Sequence, residues 1–156
     1  MAESMRTRAM RWMFNLVPVY RGTGGRVAYI AGDWREIRVR LPLSWRTRNY
    51  VGTIFGGSMF AAVDPFYMIM LMKNLGDGYV VWDKSAVIEF RKPGRTTLEA
   101  VFRIDDAELG AIREALESES AVERSYPIEL RDRDDVLCAR VTKTVHIRKQ
   151  RPPGSS

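Results

Sequence analysis

The twenty residues TIFGGSMFAAVDPFYMIMLM, Thr53 to Met72, decide how the rest of the chain must be arranged. A run this apolar is long enough to cross a bilayer. Asp64 and Pro65 stand at its centre, however, where a carboxylate costs about 2.5 to 3.5 kcal/mol even on the most lenient insertion scale. The flanking sequence alternates in the manner of half-buried strands, so the expectation is no membrane span but a helix apolar on every side, roughly 28 Å long and covered all round by protein. A helix of that kind needs a sheet that curls about it, which defines an α+β architecture.

Working outward, the periodicity supplies that sheet. Arg26 to Ile30 and Trp34 to Leu43 read as a hairpin, the second strand carrying Ile37, Val39 and Leu41 on one face and Glu36, Arg38 and Arg40 on the other. Tyr79 to Arg91, Thr96 to Ile104, Arg124 to Leu130 and Val136 to Arg148 are four further strand candidates rich in Val, Ile, Thr and aromatics. Asp105 to Ser118 predicts a helix with an acidic first turn that suits the helix dipole. Ahead of all this, Met5, Ala9, Trp12, Met13 and Leu16 recur at helical steps between arginines, so an amphipathic helix is expected within residues 1–19, ended by Pro18. The reading is one domain over residues 1–149 and a disordered Pro/Gly/Ser tail over 150–156.

Composition narrows the function classes. The chain has 156 residues, 46% hydrophobic, with 25 Lys and Arg against 19 Asp and Glu. A core of its own is within reach at this length, which excludes disordered and disulfide-built classes. One cysteine and one histidine, Cys138 and His146, leave few soft ligands, so no metal is expected. Residues 1–50 hold ten basic and three acidic side chains, whereas residues 105–135 hold four and eleven. So strong an acidic counterweight argues against nucleic acid as a partner. The basic N-terminus lacks the unbroken apolar stretch of a secretory signal, and a reduced, cytoplasmic protein is expected.

Chemistry concentrates on the central helix. Asp64 is the only charged residue of that stretch, and a buried carboxylate is costly unless it is hydrogen-bonded or used. Pro65 removes a helical N–H, leaves the Ala61 carbonyl without its usual partner, disfavours helical geometry at Asp64 and opens space beside the carboxylate. Gly56 and Gly57 remove side chains at the helix start, where unpaired N–H groups can stabilise an oxygen that gains negative charge; a close helix–strand contact explains the same pair equally well. Eight residues separate Gly56 from Asp64, about 12 Å of rise and roughly 80° of turn. Both ends can act on one bond only if two helices pack antiparallel about a two-fold axis, so an active site here implies an obligate homodimer, or a dimer of dimers.

Asn49-Tyr50-Val51-Gly52-Thr53-Ile54-Phe55-Gly56-Gly57, running on to Asp64, resembles the signature of hotdog-fold acyl-CoA thioesterases of the phenylacetyl-CoA thioesterase branch. Phe90, then Pro93-Gly94-Arg95 to Leu98 and Ala100, is similar to that family's strand, turn and next strand. As a whole the chain most resembles an uncharacterised, thioesterase-like hotdog group with an extra N-terminal helix. The resemblance implies a curved antiparallel sheet of about six strands round a long helix, and hydrolysis of acyl-CoA without a cofactor, coenzyme A being part of the substrate. It implies Asp64 as nucleophile or general base, Gly56 as the N–H that polarises the thioester carbonyl, and Asn49 as the residue that orients water or the carboxylate. Phe55 stands where that pattern has His. Asp83 lies near a Ser or Thr of relatives, and either positions water, repels Asp64, or pairs with Lys84 or another basic neighbour. Arg91, Lys92 and Arg95 offer charge for the phosphates, and Gly57 and Phe55 line the substrate site. Two alternatives follow: a pocket that holds an acyl thioester without turning it over, and a dehydratase, which lacks its usual His here.

Overall fold

In the computed structural model, which describes residues 1–150, the apolar stretch forms two consecutive helices and not one. Helix α3 spans Gly56–Val63 and helix α4 Phe66–Leu75. The interruption falls at Asp64 and Pro65, because proline offers no N–H to continue the ladder. Asp64 itself keeps helical geometry, φ −53° and ψ −50°, contrary to the usual preference of a residue that precedes proline. Two carbonyls at the break are taken up by other parts of the chain. Tyr20 donates its hydroxyl to the Ala62 carbonyl at 2.9 Å, and Lys143 donates to the Asp64 carbonyl at 2.7 Å. Those bonds satisfy buried acceptors that a broken helix leaves exposed.

Six antiparallel strands wrap the two helices. They are β1 (Arg26–Ile30), β2 (Glu36–Leu41), β3 (Tyr79–Phe90), β4 (Leu98–Arg103), β5 (Val122–Arg131) and β6 (Leu137–Lys149), and they lie in the order β1-β2-β4-β5-β6-β3. Strand β3 follows the helices and pairs along nearly its whole length with β6, from Tyr79 opposite Lys149 to Phe90 opposite Ala139, with a bulge between Asp83 and Ser85. It is an edge strand. Between β4 and β5 the ladder narrows to the single pair Glu99 and Arg131, and the sheet opens there. Helix α5 (Asp106–Ser118), capped by the Asp105 carboxylate, which accepts from the Glu108 N–H, carries the chain across this opening.

The core lies between sheet and helices. Phe66 meets Phe102 at 5.2 Å between ring centroids, and Tyr67 stacks on Tyr126 at 4.4 Å. Met59 and Met70 are buried in it, whereas Met72 is exposed. Helix α1 (Met5–Leu16) is set by the capping box of Ser4 and Thr7, and a short helix α2 (Pro18–Arg21) follows the Pro18 break. Its orientation differs from that of an ordinary core-facing helix. Thr7 is buried and Met10 and Phe14 pack on the core, while the stripe of Met5, Trp12, Met13 and Leu16 faces outward. Of the segment expected as a tail, residues 151–156 lie outside the described residues; Gln150 donates its N–H to the Gly78 carbonyl at 2.8 Å. Among the described residues no helix is long and apolar enough to cross a membrane.

Candidate functional site

Two groups of side chains gather on the central helices, one at the break and one at the start of α3. The first is built on Lys143. Strand β6 alternates Val141, Lys143, Val145 and Ile147 on its inner face, so a lysine occupies a place where its neighbours are core residues. Its side chain is only 2% exposed. A buried ammonium must be paired, and here two carboxylates pair it. One is Asp64 at the helix break, whose Oδ1 accepts from Lys143 Nζ. The other is Asp83 on the neighbouring strand, with Oδ2 at 2.8 Å from the same nitrogen.

The two carboxylates are not equivalent. Asp64 is 45% exposed, and only its Oδ1 takes a hydrogen bond among the described residues. Its Oδ2 is therefore available to solvent or substrate. Asp83 is 25% exposed, and its Oδ1 is buried with no partner among the described residues. Burial pushes the Asp83 carboxyl above the usual carboxylate range; Lys143 pulls it back, and repulsion from Asp64 adds to the rise. The pairing expected between Asp83 and a basic neighbour is thus made with Lys143, while adjacent Lys84 reaches instead to Glu123. The signal that could have exposed Lys143 was a lone cation in the apolar register of a buried strand.

The second group forms where α3 begins. Among the described residues no side chain caps this helix. A Cβ on Gly56 would stand 2.7 Å from the Phe90 ring, so the glycine lets β3 approach closely, and the N–H groups of Gly56 and Gly57 make no hydrogen bond among the described residues. Phe55, exposed, lies with its ring over Gly57. Asn49 closes the loop in front of the helix: its Oδ1 accepts from the Thr53 N–H at 2.9 Å and the Val51 N–H at 3.1 Å, and its Nδ2 donates to Thr53 Oγ1 at 2.9 Å. Its amide is spent on the loop's shape and not on Asp64.

The Pro93-Gly94 turn sits against this same helix end. Ile54 donates its N–H to the Gly94 carbonyl at 2.9 Å, and a Cβ on Gly94 would meet Met59 and Leu98 at 3.1 Å. Arg91, Lys92 and Arg95 are exposed on that turn; Arg91 pairs with Glu89 at 2.9 Å, whereas Lys92 and Arg95 make no ion pair among the described residues. The structure thus brings Asp64 and Asp83 together, and separately Asn49, Phe55, Gly56, Gly57 and the basic turn. Along one chain the two groups remain apart, by about 12 Å of helix. A cavity of about 750 Å³ lies elsewhere, in the opening between β4 and β5, lined by Arg103, Glu108, Arg124 and Tyr126 among others, and holds none of these residues.

No curated protein matches the chain. Among solved structures, a Pseudomonas aeruginosa protein of unknown function, described as a probable thioesterase, superposes with a TM-score of 0.81 at 16% identity, covering 96% of this chain and 100% of that one. A Chlorobaculum tepidum protein of unknown function gives 0.72 at 14% identity, with 93% and 95% covered. A Haemophilus influenzae thioesterase gives 0.69 at 14% identity, with 98% and 97% covered. The shared architecture is the hotdog fold expected from the sequence. A family model described as a domain of unknown function, DUF4442, matches residues 6–147, and the chain belongs to that family.

Proposed function

We propose that this protein hydrolyses acyl thioesters, acyl-CoA in particular, through Asp64. The observation that carries the reading is a carboxylate held on one oxygen and free on the other, at a helix break on a fold shared with thioesterases. Water beside the half-exposed carboxylate gives a proton to Oδ2 and attacks the thioester carbonyl. The C–O bond forms, the C–S bond breaks, and the proton passes to the departing thiolate, so that ester and water become acid and thiol. The oxygen that gains charge is stabilised by the open N–H groups at Gly56, each worth about 2.7 to 4 kcal/mol when well aimed.

Those donors and Asp64 meet only across two subunits. Strand β3 supports a homodimer: it is a twelve-residue edge carrying exposed Trp82, Val87 and Phe90, the kind of edge that pairs with another strand. Joined edge to edge about a two-fold axis, two chains bring the glycine end of one helix toward the Asp64 of the other. Lys92 and Arg95, beside the glycine end, then suit the phosphates of the thiol portion. No cofactor or metal enters this scheme.

A non-catalytic acyl-thioester receptor is favoured by one feature, the Phe55 ring over Gly57, which supplies an apolar floor and no proton donor. The test is thiol release from a panel of acyl-CoAs by wild type and Asp64→Asn. Turnover lost in the variant, with binding of the esters retained, supports hydrolysis. Binding with no thiol release by wild type supports the receptor, and neither binding nor release ends both readings.

A further inference from the structure

We propose that Lys143 is the positioning residue of the Asp64 carboxylate, a three-point clamp that leaves Oδ2 as the one reacting oxygen; this rests on the reading of Asp64 as the reacting group. An ammonium has three N–H donors and no acceptor. Lys143 has three partners: the Asp64 carbonyl at 2.7 Å, Asp64 Oδ1, and Asp83 Oδ2 at 2.8 Å. The two contacts to Asp64 are hydrogen bonds, and the one to Asp83 is an ion pair. Two of the three bonds go to one residue, one to its backbone and one to its side chain, so both the position of the helix break and the rotation of the carboxylate are tied to β6.

The geometry separates this arrangement from simple filling of a core. A lysine needed only to satisfy the broken helix would require the carbonyl bond alone, and its remaining donors would seek water. Here the ammonium is sealed, with the Phe60 ring 5.8 Å from Nζ, and two carboxylates lie against it, one from the helix break and one from β3. Asp83 has a part in the balance. Two carboxylates share one ammonium, so the group keeps one negative charge in excess, and Lys143 can orient Asp64 without cancelling its charge. The bulge at Asp83 to Ser85 coincides with this contact and re-aims the strand where the second carboxylate is required.

The lysine itself is excluded from chemistry on the ester. At 2% exposure, enclosed by two carboxylates and a carbonyl, Nζ has no path to the substrate. Its effect on turnover is therefore transmitted through Asp64.

The experiment compares wild type, Asp83→Asn and the double variant K143M/D83N, which removes the ammonium together with the buried carboxylate that depends on it. With an acyl-CoA that wild type hydrolyses, kcat of K143M/D83N is expected to fall about 10- to 100-fold below that of Asp83→Asn, the range set by loss of alignment of a reacting group. KM is expected to stay within about threefold, since the clamp touches no substrate. Equal kcat in the two variants overturns the proposal. A crystal structure of K143M/D83N supplies a readout without turnover: the Asp64 carboxylate rotated from its wild-type position supports the clamp, and an unmoved carboxylate overturns it. Failure of the hydrolase reading looks different. Wild type releases no thiol, or Asp64→Asn matches wild type, and the crystallographic comparison still decides the role of Lys143.

Discussion

Replacing Lys143 with methionine keeps the length and apolar stem of the side chain and deletes only the ammonium, so its consequences can be worked bond by bond. The Asp64 carbonyl loses its donor, a cost of about 1 to 3 kcal/mol for a buried acceptor left unmade. Asp64 is half exposed, so water replaces much of what its Oδ1 loses. Asp83 has no such recourse, because its Oδ1 is already buried without a partner and Oδ2 now joins it. Breaking a fully buried pair costs about 3 to 5 kcal/mol; discounted for the exposure of the two carboxylates, about 2 to 3 kcal/mol is expected here. For a chain of this size that lowers Tm by about 4 to 12 °C. The deficit must also depend on pH. Burial raises the folded-state pKa of Asp83 above its unfolded value, so the fold disfavours its ionised form, and the penalty grows as pH rises from the unfolded value through the folded one. Without Lys143 to offset it, that penalty deepens. Thermal unfolding followed by circular dichroism at pH 4.5 and pH 8 should show a larger gap between wild type and Lys143→Met at the higher pH. A gap that is absent, or that closes as pH rises, would falsify the assignment of Asp83 as the dependent carboxylate.

Two other perturbations test separate parts of the structure. Tyr20→Phe deletes the hydroxyl that satisfies the Ala62 carbonyl while keeping the ring that meets Phe66 edge-on at 5.5 Å; a loss of about 1 to 2 kcal/mol in urea unfolding is expected, and no loss would mean the carbonyl has another donor. Val87→Lys places a charge on the exposed edge of β3 without touching the core; sedimentation should then report a folded monomer with no thiol release, and an active dimer of unchanged mass would rule out that edge as the interface.

The strands and the acidic helix could be read in advance because each buries one face against a single layer, and that requirement writes a period of two or of 3.6 into the residues. Strand β2 is shorter at both ends than the expected Trp34 to Leu43, since it covers Glu36–Leu41, with a bend before it and irregular backbone after it. The N-terminal stripe of Met5, Trp12, Met13 and Leu16 gave the helix correctly and its orientation misleadingly. Periodicity reports that a face is apolar, and only the packing of Met10 and Phe14 on the core says which side turns inward.

For the site, the exceptional residues were legible and their partners were not. Asp64 stood out as a carboxylate in an apolar helix, and Pro65 beside it announced the break, because both violate a local pattern. Lys143 breaks a pattern too, but it lies 79 positions away and among strand residues where an isolated lysine ordinarily faces solvent. What the amino-acid order determined alone was therefore the class of fold and the acid at its centre, since burial and backbone hydrogen bonding constrain each segment locally. Tertiary structure decided which cation meets that acid, which of its oxygens stays free, and that Asn49 serves a loop. Those outcomes depend on strand register and on contacts between distant segments, to which no local pattern responds.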